Sequence, residues 1–252
     1  MAYYTSNAIY ERLSSQGKVN YYWVSENAWI LVYGDNLFIP KVIVLVFNNY
    51  WIKEAEIIRQ TCNIAKSAKL PMLQIEFDCT KQTIDSVNVA HFYSIFRCLR
   101  LNDLTGLFAS FGLPVQNGIT AKAINSAASS AYHNWQRNNL GRNIVVADID
   151  LMKIKDDETI IVLELKRSFY DLEVWEPYLE DYSNFYVLEN LCNLSNNKFF
   201  IIYNKRTTKP TVFDDESKIS VFSFNQGSPK KEGVFDFEQL FPIHLASFNK
   251  QI

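Results

Sequence analysis

An α/β fold is predicted for this chain by two observations. Runs of β-branched and aromatic residues alternate along it with stretches of helical periodicity, and one run, IPKVIVLVF (39–47), is nearly all apolar, as a strand buried on both faces would be. The hydrophobic fraction of 48%, including 15% aromatic residues, is ample for a buried core in 252 residues.

The elements follow in order. Asn7–Ser15 predicts a short helix, and YYWV, AWILVY and IPKVIVLVF predict three strands. A helix from about Tyr50 to Ala68 is indicated by Ile57, Ile58, Cys62, Ile64 and Ala65 on helical spacing, and Pro71 then introduces a strand, MLQIEFD. A helix over Val87–Leu99 and turn signals in FGLPVQNGIT follow, which sets a boundary between an N-terminal α/β region, 1–115, and a second unit, 116–252. The second unit opens with a helix, AKAINSAASSAYHNWQRNN, capped by Thr120 and closed near Gly141. Strands over Ile144–Ile154 and Thr159–Lys166 come next, then helical residues from about Asp171 to Asn193, interrupted at Pro177, and a strand, KFFIIYNK. ISVFSF adds a further strand and VFDFEQLF a short helix. Residues 7–78 also read helix, strands, helix, strand, which leaves open that the N-terminal region is a degenerate repeat of the second without establishing it.

Composition excludes several classes of function. With 25 Lys+Arg against 27 Asp+Glu, any nucleic-acid surface must be a local patch. Cys62, Cys79, Cys98 and Cys192 form no CxxC pair, and His91, His133 and His244 have no metal-ligand spacing. A cytoplasmic protein with reduced thiols is expected. No basic start precedes an apolar run and no long uncharged apolar stretch occurs, so neither secretion nor membrane insertion is expected. Without GxxxxGK[ST], GxGxxG or GxSxG, no nucleotide cofactor is expected.

The chemistry concentrates in VVADIDLMKIKDDETIIVLELKRS. Side chains alternate faces along a strand, so Glu164 and Lys166 share one face, and Asp148 and Asp150 share another across Ile149. A hairpin centred on Asp157 would set Asp150 opposite Glu164 and Asp148 opposite Lys166, provided that its loop has an odd number of residues. Facing carboxylates with Cβ atoms about 5 Å apart repel, and a divalent cation between them removes the penalty. Hard oxygen donors at this spacing suit Mg²⁺, with Mn²⁺ as a substitute. A neighbouring lysine can orient or help deprotonate a water and balance charge on a phosphate. The bland alternative is a set of cross-strand ion pairs, such as Asp148 with Lys166.

The segments A-D-I-D-L-M and I-V-L-E-L-K resemble the PD-(D/E)XK nuclease superfamily, which includes many restriction endonucleases, in motif and local order of elements rather than over the whole chain. The resemblance implies a restriction-endonuclease-like core, a mixed sheet flanked by helices, over 116–252. It implies Asp150, Glu164 and Lys166 as catalytic residues, with Asp150, Glu164 and the backbone carbonyl of Leu165 holding the metal. Asp148 takes the place of the acidic residue two positions earlier. The pattern departs from the superfamily in lacking a Pro before the first Asp and a Glu in the preceding helix. The implied activity is Mg²⁺-dependent DNA phosphodiester hydrolysis, by in-line attack of water leaving 5′-phosphate ends. A homodimeric type II restriction enzyme is the leading expectation, with the N-terminal region serving DNA contact, target reading or dimerisation. A repair or Holliday-junction nuclease, and a non-catalytic nucleic-acid-binding or interaction protein, are the alternatives.

Three further groups are candidates. Arg167 and Ser168 leave the catalytic strand and could touch a phosphate, or Ser168 could cap a helix. Tyr178, Asp181, Tyr182 and Phe185 share a helical face that could flank the site or simply pack. Lys198, Lys205, Arg206 and Lys209, with His133 and Arg137, could track a nucleic-acid backbone.

Overall fold

The computed structural model describes residues 7–17, 20–24, 27–120, 130–208 and 212–242. It is an α/β fold with two mixed six-stranded sheets and helices on their faces.

In the first half, Asn7 caps α1 (Ala8–Ser15) by accepting from Ile9 N at 3.0 Å, and Ile9, Tyr10 and Leu13 form its buried side. There follow β1 (Tyr21–Tyr22), β2 (Ala28–Asp35) and β3 (Pro40–Asn48). Helix α2 (Ala55–Ser67) starts later than the sequence predicts. Asn48 Oδ1 accepts from Tyr50 N and Asn48 O from Trp51 N, and this turn consumes the expected first residues. At its end, Lys69 takes a left-handed φ of 56° and Leu70 N returns to Ala65 O. Then come β4 (Met72–Phe77), β5 (Ser86–His91), β6 (Arg97–Arg100) and α3 (Leu101–Ser110). The predicted helix over Val87–Leu99 is therefore a hairpin, β5 with β6. Val87 and Val89 are buried while Ser86 and Asn88 are exposed, and that two-residue period with β-branched residues selects strand over helix.

In the second half, α4 (Ala131–Asn139) is capped by Ser130, and the first part of the expected helix, 121–129, lies outside the described residues. Gly141 is required at its end. Its φ is 82°, and a Cβ there would meet Gln116 O at 2.5 Å. The strand predicted over Ile144–Ile154 is two strands, β7 (Ile144–Asp148) and β8 (Leu151–Ile154), which belong to different sheets. They are followed by β9 (Ile160–Ser168), α5 (Tyr182–Ser195), β10 (Lys198–Thr207), β11 (Phe213–Asn225), β12 (Ser228–Asp236) and α6 (Phe237–Leu240). Of the helical stretch expected from Asp171, only a single 3-10 turn, Leu179–Asp181, precedes α5.

The two halves repeat one topology. Each runs helix, three strands, helix, three strands, helix, and in each the middle helix connects the single parallel pair, β3 with β4 and β9 with β10. The sheet orders β6-β5-β4-β3-β2-β7 and β12-β11-β10-β9-β8-β1 coincide once β1 and β7 are exchanged. The first strand of each half thus pairs with the second strand of the other: Tyr22 opposes Met152, and Asp148 opposes Leu31. The first helices follow their strands. Ile9 and Leu13 of α1 pack with Leu163 and Ile202 of the second sheet, whereas Tyr132 and Trp135 of α4 pack with Tyr33 and Phe108 of the first half.

The core therefore has five layers. Helices α1 and α6 cover one face of the second sheet, and α3 and α4 cover one face of the first. Between the sheets lie α2 and α5, where Ile57, Ile64, Leu188 and Leu191 meet Ile30, Leu45, Val162 and Ile201. The expected boundary near 116 falls between α3 and α4, but the exchanged arms bind each half into the other. Among the described residues no helix is long and apolar enough to cross a membrane.

Candidate active site

The β8–β9 hairpin sets the geometry. Its register, Leu151 opposite Leu163 through Ile154 opposite Ile160, is centred on Asp157 as predicted. The loop 156–158 has an odd number of residues, closed by Glu158 N to Lys155 O at 3.0 Å and by Glu158 at φ 63°. Leu163 and Leu165 face α1 and α6, so Glu164 and Lys166 face the central layer, with Lys166 Nζ 5.4 Å from the Phe185 ring of α5.

Asp150 lies one residue beyond the hairpin's last pair, where the chain crosses between the sheets. Its Oδ2 accepts from Leu165 N at 2.8 Å, and its backbone O accepts from Tyr10 OH at 2.8 Å. The β9 backbone and α1 thus clamp this residue from two directions. Asp150 and Glu164 are 5% and 4% exposed, so two carboxylates are withdrawn from water together.

Lys166 holds a third carboxylate in the cluster. Its Nζ is 3.0 Å from Glu164 Oε1 and 3.0 Å from Asp181 Oδ2, the latter presented by the 3-10 turn ahead of α5. Burial, reinforced by the Glu164 and Asp148 charges, pushes the Asp150 carboxyl well above its ordinary value against the opposing Leu165 N–H. For Lys166, burial works to lower the pKa, but Glu164 and Asp181 outweigh it and hold the ammonium above its usual range. Three carboxylates against one ammonium leave this buried cluster short of positive charge when all are ionised.

That imbalance fits a divalent cation with hard oxygen donors. Among the described residues no three His, Cys, Asp or Glu side chains are grouped so as to hold an ion by themselves. A cation at Asp150 and Glu164 would therefore complete its shell from backbone carbonyl, water or phosphate oxygens, which is the habit of Mg²⁺.

The other predicted residues are placed as follows. Asp148 does not face Lys166. It ends β7 in the first sheet, because the chain changes sheets after it, and it reaches the cluster only through its charge on Asp150. Arg167 pairs with Asp214, which Arg206 also approaches at 2.9 Å, so the guanidinium is engaged on the opposite face of β9 from Lys166. Ser168 caps no helix; its hydroxyl lies 3.0 Å from Tyr203 OH. Tyr178 is half-exposed and lines a surface cleft of about 390 Å³ with Tyr170, Trp175 and Leu179, in the connection between β9 and α5. Of the basic residues, Lys205 pairs with Asp171 and His133 is buried in the first half, while Lys209 lies outside the described residues.

Asp181 is the site residue that motif reasoning missed. Its helical-face spacing with Phe185 is visible in the sequence, and Lys166 lies against both residues. No family model, no curated protein and no solved structure matches the chain, so its function is read from this site.

Proposed function

We propose that the chain is a divalent-metal-dependent nuclease acting on DNA, with a restriction-endonuclease-like core in its second half. The observation that carries this reading is the buried pair Asp150 and Glu164, drawn together at the Leu165 backbone and flanked by Lys166. Burying like charges costs several kcal/mol unless something compensates, so a fold that concentrates them has a use for them.

Asp150 and Glu164 would hold Mg²⁺, with the Leu165 carbonyl as a further donor. The ion would supply Lewis acidity and positive charge toward a phosphodiester. Lys166, fixed between Glu164 and Asp181, is oriented to donate to an attacking water or to a non-bridging phosphate oxygen, and its ammonium shares the charge that develops in the transition state. Asp181 acts through Lys166 as a positioning residue.

A second reading is a non-catalytic nucleic-acid-binding protein in which the cluster is an ion-pair network. It draws on Lys166 being bracketed by two carboxylates. Plasmid cleavage with Mg²⁺ or Mn²⁺ separates the two readings. Wild type is expected to cut only with metal, and Asp150→Ala and Lys166→Ala to lose activity by at least about 10²-fold. Cleavage indifferent to metal and to both substitutions would remove the nuclease reading.

A further inference from the structure

The doubled topology bears on how many strands one chain can cut. Resting on the nuclease reading above, we infer that the chain is an internal pseudo-dimer with one working centre and one sealed one, so that each encounter with duplex DNA breaks a single strand.

The counterpart of the β8–β9 hairpin in the first half is the β2–β3 hairpin, which occupies the same place in the sheet and leads through the same kind of helix to a parallel strand. Its register sets Ile30 opposite Leu45, as continuation of the β8–β9 register sets Asp150 opposite Glu164. Leu45 and Phe47 share the central-layer face of β3 as Glu164 and Lys166 share that of β9.

Among the described residues of β2 and β3, no alternative alignment restores a centre. The residues of β2 and β3 that face the central layer are Ala28, Ile30, Val32, Ile43, Leu45 and Phe47, all buried and apolar. Residues 28–33 and 42–47 contain no carboxylate at all. Asp35 and Lys41 pair with each other at the turn end of the hairpin, the end that in β8–β9 lies away from Asp150. An apolar wall offers no oxygen donors to a hard cation, so this half cannot assemble a second site on the equivalent strands.

Hydrolysis of two antiparallel backbones at one locus within a single encounter calls for two centres related by about the dyad of the duplex, which symmetric enzymes obtain from two subunits. Here the second half-site is already filled, by a covalently joined half locked in place through the exchanged β1 and β7 arms. One hydrolytic event consumes one water and breaks one P–O bond, leaving a nick with a 3′ hydroxyl and a 5′ phosphate. This outcome differs from the homodimer cutting both strands that the motif alone implies.

The test is the time course of supercoiled plasmid with the full chain and Mn²⁺ or Mg²⁺, with Glu164→Gln as control. Open-circular DNA is expected first, in about tenfold excess over linear DNA while half the supercoiled plasmid remains, with a rate that rises in proportion to protein concentration. Linear DNA appearing without an open-circular precursor, or a rate rising with the square of concentration, overturns the single-centre inference and leaves the nuclease reading standing. Absence of any metal-dependent, Glu164-dependent cleavage overturns the nuclease reading and this inference together.

Discussion

The amide of Leu165 donates to Asp150 Oδ2 at 2.8 Å, and this one bond joins the crossover between the two sheets to the strand that carries Glu164 and Lys166. Asp150 sits where it does because β7 must leave the first sheet and β8 enter the second within two residues. The exchanged topology and the candidate site are therefore one feature of the fold.

Asp150→Asn tests whether the carboxylate is kept for use rather than for stability. An amide keeps an oxygen to accept from Leu165 N, and it removes a charge that burial and Glu164 both oppose. Without metal, the variant is expected to be more stable than wild type by about 1 kcal/mol or more, because the buried like-charge contact is gone. In calorimetry, Mg²⁺ or Mn²⁺ should raise the Tm of wild type and leave that of Asp150→Asn unchanged. A lower metal-free Tm for the variant would assign the carboxylate a structural role.

Asp181→Asn separates positioning from metal binding. Asp181 touches Lys166, so if it acts through that lysine the metal-induced rise in Tm should survive its loss, whereas Glu164→Gln should abolish it. Cleavage by Asp181→Asn should fall by about 10- to 100-fold, since Lys166 loses one of its two anchors. Loss of the metal response in Asp181→Asn would make it a ligand.

His133, on α4, predicts a pH dependence of its own. Burial, with Arg137 adding to it and Asp148 opposing, lowers its pKa from 6.5 to about 4. Its Nδ1 lies 2.8 Å from Ser130 Oγ, and its ring stands edge-on to Trp29. The unfolded chain takes up the proton near pH 6.5 and the folded one near 4, so this residue costs stability as pH falls through that window and costs nothing above it. The full effect is about 3 kcal/mol. Denaturant titrations at pH 7.5 and pH 4.5 should show a smaller loss for His133→Gln than for wild type; equal losses would sink this assignment.

The sequence carried the local part of this arrangement and missed the long-range part. The two-residue period of I-V-L-E-L-K put Glu164 and Lys166 on one face, and the polar KDDE fixed the turn and hence the register with Asp150. Nothing local marks Ile149 as the point where the largely apolar run NIVVADIDLM divides between sheets, because the residues before and after it are of the same apolar type. The local pattern misplaces Asp148 for that reason. Val87–Leu99 reads as a helix in the sequence because its alternation is short and broken by the turn at His91–Ser94. The apolar character of β2 and β3 is plain in the sequence, but only the sheet order identifies them as the counterpart of the β8–β9 hairpin.

The arm exchange makes a prediction about cooperativity. Leu13 lies on α1, near the start of the chain, is fully buried, and packs among Leu163, Leu165 and Ile202 of the second sheet rather than against its own half. Leu13→Ala is expected to cost about 2–5 kcal/mol through the cavity it leaves. The loss should be directional: amide hydrogen exchange should accelerate in β9 and β10 before it does in β3 and β4, since the first sheet's buried faces are covered by α3, α4 and the central helices. If α1 instead served its own half, Val44 and Val46 in β3 would lose protection first and Leu163 would keep it. Uniform acceleration across both sheets would mean that the exchanged arms fuse the halves into one cooperative unit, and the directional prediction would then be wrong.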